Sequence, residues 1–213
     1  MKKMTRRPLK SRGATWAVLA ARRLAGIPIR PNHISVASVV FAAAAGLCLL
    51  KANGRITHLL AAAALIQLRL LCNLLDGMVA IEGGLKSKSG EIYNDLPDRL
   101  SDAAILILAG YSIPWPTWSP ELGWSAALMA IMTAYVRLLG GAVGLPQDFS
   151  GPMAKPHRMA VLTAACIGAA IETALHAPPK SIAMALLVIL AGSIATTVRR
   201  TARIVARLES SSS

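Results

Sequence analysis

The apolar residues of this 213-residue chain gather into long runs, and almost every charged residue lies at the edge of a run. Six runs approach the roughly 20 helical residues that cross a hydrocarbon core of about 30 Å. They are His33–Leu50, Ile56–Leu75, Ala103–Trp118, Leu122–Leu145, Met159–Leu175 and Ser181–Val198. The pattern predicts an all-α integral membrane protein with six transmembrane helices. Glycines near residue 140 are able to end the fourth run early.

The composition agrees with a membrane protein, and the distribution of charged residues predicts its orientation in the membrane. Hydrophobic residues make up 54% of the chain and charged residues only 15%, whereas soluble domains carry about 25% charge. The net charge of +13 would usually suggest nucleic acid as a partner. Here, however, 17 Lys and Arg residues fall before the first run, in alternate loops and after the last run, against three in the other loops. The positive-inside rule therefore predicts that both termini lie in the cytoplasm and argues against nucleic acid.

The first 30 residues mix basic side chains with Trp16, Val18, Leu19 and Leu24. This mixture predicts an amphipathic helix that lies in the headgroup layer before the first span. The alternative is a basic segment that is only exposed.

Candidate chemistry concentrates between Asn73 and Asp102, where the second run ends and the third begins. Asn73 and Asp76 are three residues apart and Asn94 and Asp98 are four apart, so each pair shares one face of a helix. Four oxygen-bearing side chains can therefore converge, and Mg²⁺ and Mn²⁺ prefer such ligands. Because Mg²⁺ often completes its shell with phosphate oxygens, a phosphate-bearing substrate follows. Small residues nearby leave room for a nucleotide, although helix packing explains the glycines equally well.

The same segment resembles the CDP-alcohol phosphotransferase family, whose motif is D-x2-D-G-x2-A-R-x8-G-x3-D-x3-D. The register matches without gaps, and five of the eight fixed positions agree. In motif order the positions are Asn73, Asp76, Gly77, Ala80, Ile81, Gly90, Asn94 and Asp98. The stretch from Pro31 to Ser35 is also similar to the family's sequence before its first span.

This resemblance implies an activity and a site. A phosphatidyl-type group would pass from a CDP-linked donor such as CDP-diacylglycerol to an alcohol, with release of CMP, in phospholipid biosynthesis. The family's metal positions fall on Asn73, Asp76, Asn94 and Asp98, which would hold one or two Mg²⁺ or Mn²⁺ ions. Gly77, Ala80 and Gly90 would admit the cytidine, and Asp98 would also be the base. The resemblance further implies a homodimer.

The departures from the motif keep other interpretations open. Two Asn residues leave the four ligand positions with a formal charge of −2 where the family has −4, and this loss weakens the attraction for a divalent ion. Asp95, Glu91 or Asp102 can compensate, and Arg69, Lys86 or Arg99 can replace the arginine that is missing at Ile81. One alternative is a degenerate relative that binds nucleotide or lipid without turnover. A second, weaker alternative is a small transporter.

Two further sets of basic residues complete the sequence predictions. Arg69 lies inside the second run, where pairing with Asp76, Asp98 or Asp102 would cancel its charge. Arg137, Lys155 and Arg158 would form a pocket for the phosphate of an acceptor. We thus expect a basic interfacial segment over residues 1–30, a six-helix catalytic domain over residues 31–205 and a disordered tail over residues 206–213. The site would face the cytoplasm.

Overall fold

The computed structural model describes residues 31–82, 90–113 and 116–210, together with Leu19 and Arg23. Its helices are α1 (Pro31–Leu50), α2 (Ile56–Glu82), α3 (Gly90–Gly110), α4 (Ser119–Ala142), α5 (Lys155–Ala174) and α6 (Ser181–Ser210). These parts of the chain contain no β-strand, which confirms the all-α prediction. The interfacial helix predicted before residue 31 lies, apart from Leu19 and Arg23, outside the described residues.

Four of the described helices, α1, α2, α4 and α6, are long and apolar enough to cross a membrane. The other two are the most polar at one end. The first half of α3 carries several carboxylates, and α5 begins with basic residues. Long apolar helices in this number place the chain in a membrane.

Three helix boundaries differ from those that the apolar runs predict. Helix α2 continues from Leu75 to Glu82, and α3 begins at Gly90, well before Ala103. Among their described side chains, Asp76 accepts a hydrogen bond from Ser35 of α1, and Asp98 pairs with Lys155 of α5. Helix α3 ends at Gly110 rather than Trp118, because Ser112 folds back onto the carbonyl oxygen of Ala109 at 2.6 Å.

The fourth and sixth helices differ at their ends. Helix α4 stops at Ala142, three residues before the end of the predicted run, and Gly144 follows with a φ of +89°. Glycine adopts this left-handed conformation without strain. Helix α6 runs on to Ser210. It therefore includes residues 206–210, which the sequence assigned to a disordered tail, and residues 211–213 lie outside the described residues.

Helix α3 occupies the middle of the bundle and touches α1, α4 and α6. Around it α1 packs on α2, α2 on α5, α4 on α6 and α5 on α6. Small residues such as Ala45, Ala62, Ala109 and Ala126 are fully buried between these helices. Close packing through small residues is the usual way in which membrane helices associate. It brings the polar ends of α2, α3 and α5 together at one end of the bundle.

Candidate active site

The antiparallel pairing of α2 and α3 places the predicted site residues opposite one another. The amide of Asn73 donates a hydrogen bond of 2.7 Å to Asp98 Oδ1. One turn away, Arg69 Nη1 donates to Asp102 Oδ1 and Arg69 Nη2 to Asp98 Oδ1, both at 2.6 Å. The sequence prediction that Arg69 pairs with these carboxylates is confirmed. Arg69 is fully buried, so it neutralises charge that lipid could not solvate.

Helix α1 contributes two hydroxyl groups to the same face of α2. Ser35 Oγ donates to Asp76 Oδ2 at 3.0 Å, and Ser38 Oγ donates to Asn73 Oδ1 at 2.6 Å. Ser35 and Ser38 are three residues apart, as are Asn73 and Asp76, so the antiparallel packing of α1 and α2 aligns the two pairs. Sequence reasoning assigned no role to either serine. The matching spacing in the first and second runs is the signal that could have found them.

Helix α5 supplies two cations from its first turn. Lys155 Nζ forms an ion pair with Asp98 Oδ2. Arg158 lies 3.7 Å from Asp102 Oδ2 and donates hydrogen bonds to Thr133 Oγ1 and to the carbonyl oxygen of Met153. Arg158 is only 1% exposed, whereas the Lys155 and Asp98 side chains are 15% and 14% exposed. The Lys155–Asp98 pair is thus more accessible than the buried Arg158–Asp102 pair.

Among the described side chains of α3, the carboxylate nearest the start of the helix is that of Asp95. It pairs with Arg99 at 2.6 Å and with Arg137 of α4 at 3.2 Å. The guanidinium of Arg137 also lies 5.1 Å from the ring centroid of Phe149, a distance at which the ring attracts a cation. All three cations predicted to bind the acceptor therefore contact a carboxylate of α3, each at a different level.

The loop between α4 and α5 is fastened to α6. Arg200 Nε donates to the carbonyl oxygen of Ser150 at 2.9 Å, and Arg200 Nη1 donates to that of Thr133 at 2.6 Å. The amide of Met153 donates to Thr196 Oγ1 at 3.0 Å. These bonds fix the path of the chain that leads into α5, and with it the positions of Lys155 and Arg158.

An ion pair also holds this loop to α6. Arg203 Nη1 lies 3.2 Å from Asp148 Oδ2, and Ser150 donates both its amide and its hydroxyl to Asp148 Oδ1. Partial burial raises the pKa of Asp148, but the bonds from Ser150 and the charge of Arg203 outweigh it and hold that pKa below its ordinary value. Asp148 therefore stays ionised at neutral pH.

Several predicted site residues cannot be placed by their side chains. The side chains of Ala80, Gly90, Glu91 and Asn94 lie outside the described residues, as does the whole of Lys86. The structure does bring together Asn73, Asp98 and Asp102, and it joins Asp76 to the same helix face through α1. Among the described residues no group of three or more His, Cys, Asp and Glu side chains is arranged to hold a metal by itself.

The sequence profile of the CDP-alcohol phosphatidyltransferases matches residues 28–201, which include all six described helices except the last turns of α6. The chain belongs to the CDP-alcohol phosphatidyltransferase family. The family predicted from the partial motif is therefore confirmed, and membership identifies the protein as a transferase. The family uses divalent metal ions, in agreement with the predicted Mg²⁺ or Mn²⁺ cofactor.

Two curated relatives illustrate the range of the family. The chain is 27% identical over 184 residues to a phosphatidylinositol phosphate synthase of Corynebacterium glutamicum, covering 84% of this chain and 80% of that protein. It is 29% identical over 134 residues to the inner membrane protein YnbA of Escherichia coli, covering 61% of this chain. The alignment spans 63% of YnbA, slightly less than two thirds.

Solved structures share the fold at low sequence identity. Two crystal structures of Mycobacterium tuberculosis phosphatidylinositol phosphate synthase match with a TM-score of 0.70 at 20% identity. One contains manganese and citrate and covers 88% of each chain. The other has CDP-DAG bound and covers 90% of this chain and 94% of that one. At 20% identity this likeness shows a common fold. It assigns no role to individual residues of this chain.

The residues present fit a divalent ion only in part. Asp76 is 2% exposed and its Oδ2 faces a neutral serine hydroxyl, which suits a buried carboxylate that binds a cation. The two oxygens of Asp98 already contact Arg69, Asn73 and Lys155. The donor set thus fits one cation on the Asp76 side better than a second at Asp98.

Proposed function

We propose that this family member transfers a phosphatidyl-type group from a CDP-linked lipid, such as CDP-diacylglycerol, to an alcohol and releases CMP. One observation supports this proposal above all others. Asp98, at the last motif position, accepts a hydrogen bond from Asn73, at the first, and Asp76 lies one turn along α2 from Asn73. This closeness supports a single site that combines the described motif residues of α2 and α3.

The charge of the site supports an anionic substrate. Among the described side chains of the site, four carboxylates, those of Asp76, Asp95, Asp98 and Asp102, lie among five cations. The cations are Arg69, Arg99, Arg137, Lys155 and Arg158. A buried site with a surplus of positive charge is costly in a membrane unless an anion enters it. A pyrophosphate offers such an anion, and a divalent ion bound at Asp76 would increase the attraction.

Asp76, with Asn94, would hold the metal ion. The register of α2 and α3, which pairs Arg69 with Asp102 and Asn73 with Asp98, places residue 94 opposite Gly77 one turn further along. A divalent ion in this position would offset the charge that develops on the diphosphate. Gly77, with Ala80 and Gly90 beyond it, would leave space for the cytidine.

Asp98 would act as the general base. Its carboxylate accepts the proton of the acceptor hydroxyl while the hydroxyl oxygen forms a bond to the lipid-side phosphorus of the donor. The bond from that phosphorus to the bridging oxygen breaks, and CMP leaves with the electron pair. Arg69 and Asn73 hold Asp98 Oδ1, so Oδ2, on the side of Lys155, is the oxygen that faces the acceptor.

The acceptor would lie against Lys155 and Arg137, with Arg158 one layer deeper. Lys155 and Arg137 line the open side of the Asp95–Asp98 face and can contact phosphate or hydroxyl groups of an acceptor. Arg158 is buried against Thr133 and Met153, so it would position Lys155 through their shared helix turn.

For the whole chain we propose six spans, with both termini and the site on the cytoplasmic side and residues 31–205 as the catalytic unit. Helices α3 and α5 would complete the set, because each packs against helices that are apolar enough to span. The homodimer implied by the family remains a prediction.

The test is CMP release by the purified protein in detergent, with CDP-diacylglycerol, Mg²⁺ or Mn²⁺ and a panel of alcohols and alcohol phosphates. We expect metal-dependent release that Asp98→Asn and Asp76→Ala each reduce by about 100-fold or more, a usual size for loss of a general base. Glu121→Gln, which removes an exposed carboxylate at the far end of α4, should retain full activity.

The degenerate relative without turnover is the competing function. It would be supported if no pair of donor and acceptor gave CMP while the protein still bound CDP-diacylglycerol. Equal CMP release by Asp98→Asn and by the unchanged protein would instead reject the assignment of Asp98 as the base.

A further inference from the structure

We infer that this family member holds a single divalent ion, because Arg69, Lys155 and the Asn73 amide take the place of a second ion at Asp98. The inference rests on the proposed function and specifies the metal content of that site. It is drawn from the hydrogen-bond partners of Asn73 and Asp98.

The first step concerns the direction of the Asn73 hydrogen bonds. A carboxylate only accepts hydrogen bonds, so the group of Asn73 that lies 2.7 Å from Asp98 Oδ1 must be its NH₂. The amide oxygen then points the other way and accepts from Ser38 Oγ at 2.6 Å. Asn73 thus acts as a donor towards Asp98, and the hydroxyl of α1 already uses its oxygen.

The second step concerns what an aspartate would do at the same place. A carboxylate at position 73 would bring two negatively charged oxygens within about 3 Å of each other, and such a pair requires a shared cation or a proton. The amide removes this requirement. Asn73 therefore lets α2 and α3 approach each other without an ion between these two side chains.

The third step is the charge around Asp98. Arg69 Nη2 contacts Oδ1 at 2.6 Å, and Lys155 contacts Oδ2. A divalent ion at Asp98 would have to displace Lys155 or stand close to both cations, and like charges at such distances repel strongly where water is scarce. Two fixed monovalent cations thus supply here the charge that one divalent ion would supply.

The experiment measures Mn²⁺ binding to the purified, detergent-solubilised protein from the electron paramagnetic resonance signal of the Mn²⁺ that stays free. We expect one Mn²⁺ per chain. Asn73→Asp should bind a second, and Asn53→Asp, the same change in the loop between α1 and α2 on the opposite end of the bundle, should still bind one. Lys155→Met, which removes one of the two cations that contact Asp98, should likewise bind a second Mn²⁺ ion.

Several outcomes would overturn the inference. They are two Mn²⁺ ions on the unchanged protein, none at millimolar Mn²⁺, or a stoichiometry of one for both Asn73→Asp and Lys155→Met. The result is independent of turnover. Absence of CMP release alongside the expected stoichiometries would reject the proposed function alone, and CMP release with two bound ions would reject the inference alone.

Discussion

At the scale of single residues, Arg69 organises the polar end of the bundle. Its guanidinium bridges Asp98 and Asp102 at 2.6 Å each and also donates to the carbonyl oxygen of Asp98 at 3.0 Å. An arginine presents several donors in one rigid plane, which suits a site where two carboxylates lie one helical turn apart. A buried charge of this kind stabilises the fold only while its partners remain in place.

The matching prediction is a large loss of stability on removing this cation. Arg69→Met leaves Asp98 and Asp102 with reduced compensation, and breaking a buried ion pair typically costs about 3–5 kcal/mol. We expect the midpoint temperature of thermal aggregation in detergent, measured by size-exclusion chromatography, to fall well below that of the unchanged protein. Arg55→Met, in the exposed turn before α2, is the matched control. Equal midpoints for both variants would contradict the structural role of Arg69.

Residue positions were predictable from spacing, and residue partners were not. The interval between Asn73 and Asp76 indicated one face of α2, and serines of α1 contact both residues; the side chain of Asn94 lies outside the described residues. The sequence also indicated that Arg69 needs a carboxylate, but three were within reach. The choice of Asp98 and Asp102 depends on the register of α2 against α3, which packing alone sets. No role was assigned to Ser35 and Ser38, because their spacing becomes informative only when it is compared with that of Asn73 and Asp76 on the helix that packs against them.

At the scale of elements, two glycines fix the crossing of α3 and α4. A Cβ atom on Gly123 would lie 2.8 Å from the carbonyl oxygen of Leu106, and one on Gly110 would lie 2.6 Å from that of Ser119. These neighbours are main-chain atoms, so a side chain could be accommodated only by moving a helix. Because α3 carries Asp98, this crossing also sets the position of the proposed base.

We therefore predict that Gly123→Ala lowers both stability and CMP release. Overpacking of this kind typically costs about 1–3 kcal/mol. Gly141→Ala in the same helix is the control, since its Cβ would meet only the flexible side chain of Gln147 at 3.4 Å, and alanine favours a helix by about 1 kcal/mol over glycine. Thermal midpoints and initial rates of CMP release measure the two effects. A lower midpoint for Gly141→Ala than for Gly123→Ala would contradict the argument.

The apolar runs predicted the positions of the helices better than their lengths. Apolar runs located all six helices because hydrocarbon selects for them. They could not locate the extensions of α2, α3 and α6, since these stretches carry charged residues and do not continue the apolar runs. Leu75, Ala103 and Val198 are the limits of the apolar runs rather than the ends of helices.

At the scale of the whole molecule, the distribution of basic residues predicts orientation. With both termini inside, 17 Lys and Arg residues lie on the cytoplasmic side and three on the other. The helix order is compatible with this arrangement, because the polar ends of α2, α3 and α5 meet at one end and the loop after α5 lies at the other. The same end of the bundle then carries the site and most of the positive charge.

We predict that the C-terminus and the loop after α5 lie on opposite sides of the membrane. A green fluorescent protein fused after Ser213 should fluoresce, because it folds in the cytoplasm. A cysteine introduced at Ala177 should react with a membrane-impermeant maleimide in intact cells, whereas one at Gln147 should react only after the membrane is broken. The three natural cysteines are replaced beforehand. Labelling of residue 147 in intact cells would reverse the orientation.

The fastening of the α4–α5 loop has a consequence for how this enzyme family could diversify. Arg200 donates a hydrogen bond to the carbonyl oxygen of Ser150, and Thr196 Oγ1 accepts one from the amide of Met153. Every residue type except proline has both a main-chain carbonyl and a main-chain N–H group. These two hydrogen bonds are therefore kept when the side chains at positions 150 and 153 change, and they continue to direct the chain towards Lys155. Natural selection could in this way alter which alcohol is accepted without rebuilding the centre that breaks the pyrophosphate.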